Sequence, residues 1–498
     1  MALDEAVPRV AQTTVSLLKA SRRVELAEHL RLPYEVAPPT NSGRVRMWTE
    51  GIDAANGAAL LWPAAGHLPA SPTMATLTMH GGAPIPVCAR ILDDASVAAR
   101  LASDADNWSL AGTLTNDAGE TVGGVWTDVA GNVLLPFDPD EVLLNYLSER
   151  YVDQLERNGR GRGTRALLRT YYRVRVALPR PVQIWIRRRY ARVQARTAFP
   201  HWPVEPGLHD FIDLFLGLVA DVAGAEIPYI APWPDGHSWA IVLTHDVETS
   251  AGLAAMEPLL DIERTHGLRS SWNFVARRYR VPDDVVQALH AEGFEVGVHG
   301  LHHDGRDLAS LPGLQARLPA MQAAAQRWGA VGFRSPASHR HWEWMALLGF
   351  DYDSSYPDTD PFEPQRGGCC SWWPFFNRDL VELPLTMPHD HTLFVILGHE
   401  DEAMWTHKAQ VLRARGGMAL LVTHPDYLIT GPGRAAYARF VEACAAAQDA
   451  WKPLPAEVSA WWRRRAESKI VAGEDGLTVA GPAQGEARIA FAQGRRAC

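Results

Sequence analysis

Residues 239–248 read Trp239-Ala240-Ile241-Val242-Leu243-Thr244-His245-Asp246-Val247-Glu248. An apolar run that stops abruptly in ionisable residues is what a buried strand looks like when it delivers polar groups to one edge of a sheet. The pattern recurs downstream. Phe294 to Val298 runs into His299, Val331 to Phe333 into Arg334, and Met418 to Val422 into His424, while Asp351 and Asp353 flank Tyr352. Further apolar runs lie at Ser270–Val275 and Leu380–Leu385. Helical spacing fills the intervals at Asp283–Glu292, Leu318–Trp328, Glu402–Arg415 and Arg434–Ala447. Strands alternating with helices mean βα units, so the second half is α/β with a largely parallel sheet or barrel. In such folds the carboxyl ends of the strands share one face, and that face is the expected active site.

Metal ligation is the sharpest chemistry in this half. His299-Gly300-Leu301-His302-His303 places two histidines at i, i+4, one helical turn apart, where both imidazoles can meet one ion. Two histidines and a carboxylate with an open water position make a hydrolytic zinc site. Asp246 or Glu248 supplies the carboxylate; His302 is one position off and is expected either to support the ligands from behind or to face solvent.

Composition narrows the class. The 498 residues are 47% hydrophobic and 21% charged, which excludes a disordered chain and suggests two or three domains. Lys+Arg 48 against Asp+Glu 57 leaves a net charge of −9, and without a recognised module nucleic acid is not an expected partner. The cysteines are Cys88, Cys369, Cys370, Cys444 and Cys498, with no C-x-x-C pair. That argues against a disulfide scaffold and fits a reducing compartment. Met1-Ala2-Leu3-Asp4-Glu5 is acidic where a secretion signal is basic, and no run nears the roughly 18 apolar residues of a membrane span. Phe211 to Ile227 is interrupted by Asp213, Asp221 and Glu226 and reads as an amphipathic helix. A cytoplasmic protein without a transmembrane segment is therefore expected.

Four segments follow from changes in texture. Residues 1–155 carry short strand-like runs (Ala58–Trp62, Met74–Met79, Ser109–Leu114) with turn signals such as Asn116-Asp117-Ala118-Gly119, then a helix from Asp138, and form a mixed α/β domain. Residues 156–236 are an Arg-rich helical connector; Arg157–Arg196 holds 13 arginines and no acid. It reads as a solvated connector or as a docking stretch for an anionic surface or glycan. Residues 237–450 are the catalytic domain, and 451–498 a Trp-rich hinge with a short β tail.

The order Thr244–Glu248, His299–His303, Gly332–Ser338, Phe350–Tyr356 and Leu420–Tyr427 resembles the NodB-type polysaccharide deacetylases, carbohydrate esterase family four, over roughly residues 237 to 430. The resemblance implies a distorted (β/α) barrel that removes N-acetyl groups from an acetylated amino sugar, in a glycan or its precursor, with a divalent metal, usually Zn2+. It makes Asp246 the catalytic base and His299 and His303 metal ligands. Arg334 would hold the base and His424 would be the general acid. Asp353 would orient His424, with Asp351 as alternate. The family's first motif has two adjacent aspartates; here Val247 follows Asp246, so Glu248 becomes the third ligand. Gly300 replaces the usual Ser or Thr and implies a less braced metal loop.

Two other readings keep the fold: hydrolysis of a small non-sugar amide, and a degenerate barrel that binds glycan without turnover. His389 and His391 could form a second metal site or belong to a loop. Trp372, Trp373, Phe375 and Phe376 could be a sugar platform or core, and Cys369-Cys370 is expected to be buried.

Overall fold

The computed structural model describes residues 18–39, 44–101, 107–157, 188–189, 191, 194, 199–429, 431–473 and 476–494. Two nine-stranded sheets organise the chain. The first runs Tyr34–Val36, Leu18–Ala20, Thr49–Asp53, Ala59–Pro63, Val133–Leu134, Thr121–Asp128, Trp108–Thr115, Thr73–Met79 and Pro84–Ala89 across its width. Its pairings are antiparallel except Leu18–Ala20 with Tyr34–Val36 and Ala59–Pro63 with Val133–Leu134. Gly119, at φ +80, turns the hairpin between Trp108–Thr115 and Thr121–Asp128. Asp138 caps the helix Pro139–Leu147 by accepting from the Asp140 N–H.

The helix Gly207–Ala223, expected within the connector, packs against Ala59–Pro63 and Pro84–Ala89 and covers the first sheet. Most of Arg157–Arg196 lies outside the described residues. Of the part that is described, Arg188 donates to the Val395 carbonyl at 3.1 Å and Gln194 to the Pro361 carbonyl at 2.6 Å.

The second sheet is built on Trp239–Val247, buried along its whole length and paired in parallel with Ser270–Phe274 on one side and Met418–Thr423 on the other. Beyond Ser270–Phe274 come Glu295–Val298, Gly332–Phe333, Tyr352–Asp353 and Leu380–Glu382, all parallel, then Phe375–Asn377, antiparallel. Short Ala450–Trp451 also pairs with Trp239–Val247. Among the described residues the ladder is open and does not close into the expected barrel. Where closure would fall, irregular chain bridges the gap: the Met418 N–H donates to the Trp372 carbonyl at 2.8 Å and the Met387 N–H to the Leu420 carbonyl at 3.1 Å.

The stretch expected to be a hinge is a packed helix, Pro455–Ala466, with Trp461 and Trp462 buried. Trp461 donates to the Pro232 carbonyl at 2.7 Å, and Ile489–Ala492 pairs with Ile227–Ile230. Aromatic burial of this size outweighs the Pro signals that suggested a break. No helix among the described residues is long and apolar enough to cross a membrane.

Candidate active site

The parallel strands bring the ionisable residues to one edge because each strand ends where its apolar run ends. Asp246 closes Trp239–Val247 with Glu248 one step beyond; His299, Arg334 and His424 directly follow Glu295–Val298, Gly332–Phe333 and Met418–Thr423. Asp246 is buried, and its Oδ1 accepts from Asn273 Nδ2 at 2.9 Å and Arg334 Nη1 at 3.1 Å. Arg334 is fixed in turn by the Thr244 hydroxyl at 2.8 Å and the Ser354 carbonyl at 2.9 Å. Both donors act on Oδ1; Oδ2 lies 3.8 Å from His299 Nδ1. Burial alone would raise the Asp246 carboxyl, but Arg334, then His299 and His424, outweigh it and hold it well below the usual carboxylate range.

His299 Nδ1 lies 3.1 Å from the Arg334 carbonyl, which can only accept, so Nδ1 carries the proton and Nε2 the lone pair. Burial, first among its causes, lowers the imidazole to about 4, so it is neutral at physiological pH. The His299 and His303 rings lie 5.1 Å apart. His303 Nε2 is 2.9 Å from Glu248 Oε1, at ion-pair distance but without hydrogen-bond alignment. Among the described residues His299 Nε2 has no hydrogen-bond partner, and His303 Nε2 has none beyond this approach to Glu248. Glu248, His299 and His303 each offer an atom within 4.8 Å of the other two. Asp246 stands outside that trio. Burial would raise the Glu248 carboxyl, yet the facing His303, His424 and His299 keep it below its ordinary value. Two imidazoles and a carboxylate converging in this way are the donor set of a divalent zinc-type ion.

His424 is braced by a residue the sequence reading passed over. Asp390 Oδ1 lies 2.7 Å from His424 Nδ1, and Asp390 Oδ2 accepts the His424 backbone N–H at 2.7 Å. Burial favours neutral imidazole, but Asp390, then Glu248 and Asp246, push His424 up to about 10. Its Nε2 faces Glu248 Oε1 at 3.5 Å.

Asp353 does not orient His424. Its carboxylate takes the Ser355 hydroxyl at 2.7 Å and the Ser355 N–H at 2.9 Å, and it abuts Glu382, its register partner on the next strand. Asp351 is exposed. The available signal for Asp390 was its place as a capping residue before the apolar run Thr392–Leu397, where its side chain accepts the His391 N–H at 2.7 Å.

The histidine loop is not helical. Gly300 and His303 have φ of +65 and +54, and this irregular path, rather than a helical turn, brings the two rings together. Nor is the loop loosely braced: Asp307 Oδ2 accepts the Leu301 N–H at 3.0 Å. A Cβ at position 300 would meet that same oxygen at 2.5 Å, so glycine is what lets Asp307 approach. His302 is exposed. Trp372, Trp373 and Phe375 are buried and Phe376 half-buried against the core, as are Cys369 and Cys370, so the four aromatics offer no open sugar platform.

No family model and no curated protein matches this chain. Among solved structures it is similar to a protein assigned as a polysaccharide deacetylase from Mycobacterium smegmatis, at 21% identity and TM-score 0.38 over 47% of this chain and 93% of that one. Similarity to the Puue allantoinase is 16% with TM-score 0.38, covering 46% and 92%. A family 4 carbohydrate esterase from Streptomyces lividans, in complex with acetate, gives 15% and TM-score 0.29 over 43% and 90%. At such scores the chemistry of the site rests on its own residues.

Proposed function

We propose that this protein is a metal-dependent amide hydrolase that removes N-acetyl groups from an amino sugar in a glycan or glycan precursor. The observation that carries the reading is the convergence of His299, His303 and Glu248, with the buried His299 Nε2 lacking a hydrogen-bond partner among the described residues, set between a tethered carboxylate and a cationic imidazole. Glu248, His299 and His303 would hold the ion. When bound, a divalent ion supplies Lewis-acid polarisation and a water of lowered pKa.

The chain's own groups do the rest. Asp246 Oδ2 receives the proton of the attacking water, because Arg334 and Asn273 occupy Oδ1 and aim the carboxylate. His424, kept protonated by Asp390, donates from Nε2 to the leaving nitrogen, since an amine leaves poorly unless protonated. Base and acid thus have their protonation states pushed apart by their surroundings, as acid–base division of labour requires. Half-buried Tyr427 stands 5.2 Å from the His424 ring and 4.8 Å from the His391 ring, centroid to centroid, and packs the proton donor in place.

The test is acetate release from a panel of N-acetylated sugars, oligosaccharides and small amides, by metal-loaded and chelated protein. Release from acetylated amino sugars that disappears on chelation is expected. Activity confined to small non-sugar amides overturns the substrate class; stoichiometric metal with no release from any member overturns hydrolysis.

A further inference from the structure

Two side-chain ties cross between the strand that carries Asp246 and the strand that leads to His424, one before and one after the reacting groups in chain order. In the first, His245 and Thr423 face each other in register, with His245 Nδ1 2.7 Å from Thr423 Oγ1. His245 Nε2 lies 2.7 Å from Glu263 Oε1; a carboxylate only accepts, so His245 donates from Nε2. Glu263 also accepts from the Ser270 hydroxyl at 2.7 Å and from the Tyr437 hydroxyl. The His245 ring stacks on Trp272 at 4.0 Å, and His245, Glu263, Ser270 and Thr423 are fully buried. In the second tie, the Thr249 hydroxyl donates to Asp426 Oδ2 at 2.7 Å. A Cβ at Gly252 would come within 2.8 Å of Asp426 Oδ1, so glycine there admits the carboxylate.

We propose that His245, Thr423, Thr249 and Asp426 are positioning residues that fix the proton donor His424 against Asp246 and Glu248. His245 immediately precedes Asp246, Thr423 immediately precedes His424, and Thr249 immediately follows Glu248. Neighbouring side chains on a strand point to opposite faces, so His245 and Thr423 act from the back of the sheet while Asp246 faces the site. Met418–Thr423 ends the strand order, and its ladder with Trp239–Val247 stops at His245 and Thr423, one residue short of His424. Asp390 aims the His424 ring; the two ties hold the chain on which it stands. Packing alone does not call for a buried His–Glu pair, because apolar residues of the same volume fill a core as well or better. A reacting group displaced by about 1 Å loses up to about 100-fold in rate. For a proton donor that loss falls on leaving groups that need a proton, which an amine does and a nitrophenolate does not. The consequence for turnover rests on the hydrolase reading; the placement of His424 does not.

Thr423→Val and Asp426→Ala each remove one tie in the full chain, and Thr423→Ser keeps the hydroxyl. On an acetylated amino sugar the first two should each lower kcat about 10- to 100-fold, with KM within about 3-fold and metal content unchanged. Chelator-sensitive hydrolysis of para-nitrophenyl acetate should stay within about 3-fold, and Thr423→Ser should restore activity on the sugar. Equal loss on both substrates, or no loss on either, overturns the positioning role. If Thr423→Val does not fold, as judged by thermal unfolding, Asp426→Ala at its half-buried position carries the same comparison. Crystal structures of the variants beside the wild type read the placement without turnover. His424 should be displaced from Asp246 in Thr423→Val or Asp426→Ala and in place in Thr423→Ser; His424 unmoved in all of them overturns the proposal. Failure of the hydrolase reading shows differently, as no chelator-sensitive release by the wild type from any substrate while the displacement of His424 persists.

Discussion

The two sheets differ in where they gather their buried polar groups. In and around the first, cations meet carboxylates: Arg22 joins Glu50, Asp138 and Asp140, Arg90 joins Glu141, and Arg46 meets Asp53. At the carboxyl edge of the second, Asp246 pairs with Arg334 and His424 with Asp390, but His299 keeps a buried Nε2 with no hydrogen-bond partner among the described residues, as does nearby His389. Antiparallel hairpins send consecutive strand ends to opposite edges, so their polar ends disperse; parallel strands send every carboxyl end to the same edge. Paired charge holds structure, whereas a buried nitrogen left without a partner is tolerated where a ligand can complete it.

Glu248→Ala offers the strongest test of this contrast, because it removes the carboxylate from the three-donor set it forms with His299 and His303. Loss of metal and of activity together is expected, measured by metal content and acetate release. Asp246→Asn, outside the trio, should keep metal near stoichiometry while turnover falls by roughly two to four orders of magnitude. The reverse result would exchange the two roles.

Asp390→Asn comes next. Without the carboxylate, His424 loses the charge that keeps it protonated, and kcat should fall by about 100-fold. The sign of the pH effect is definite. The cationic form is the active acid, so activity is lost as pH rises through its titration, and removing Asp390 moves that alkaline limb to lower pH. An unchanged limb would remove His424 from the role of acid.

A third variant probes charge pairing where the two regions join. Arg340 is fully buried and makes two 2.6 Å bonds to Glu149, which follows the helix Pro139–Leu147. Arg340→Ala strands a buried carboxylate and should cost about 3–5 kcal/mol in denaturant unfolding, with metal stoichiometry intact in the folded fraction. Arg22→Ala, whose side chain is 30% exposed, should cost about 1 kcal/mol. The same clamp bears on truncation: a chain cut before residue 200 retains every proposed ligand but orphans Arg340, so low stability rather than metal loss is the expected outcome.

The smallest effect concerns Asp353 and Glu382. Burial, joined by the neighbouring Asp353 charge, raises the Glu382 carboxyl well above its usual value. The folded chain therefore keeps a proton that the unfolded chain releases above pH of about 4. Stability from that proton is present at low pH and declines as pH rises, by at most ~1.4 kcal/mol per pH unit. Glu382→Gln should flatten this slope and equal or exceed the wild type in stability at neutral pH. An unaltered slope would show that the proton is held elsewhere.

The strands carrying the site were legible because the end of a buried strand is a local event: apolar residues stop and ionisable ones begin within two or three positions. Trp239–Val247, Glu295–Val298 and Met418–Thr423 were therefore readable, and with them the placement of Asp246, Glu248, His299, Arg334 and His424 at one edge. The hairpins of the first sheet were readable for the same reason, through alternation and turn residues.

What only the tertiary structure decided is pairing across distance. Asp390 holds His424 from 34 residues away, and its local capping position does not disclose that partner, while the fold buries Asp353 against Ser355 and Glu382. The histidine loop depends on Asp307 reaching Gly300, and the helix Pro455–Ala466 on a groove that accepts Trp461 and Trp462. Residue type and strand register determine which groups arrive at an edge. Which of them then touch is set by packing among segments far apart in the chain, and a carboxylate's partner is chosen by that packing rather than by its neighbours in sequence.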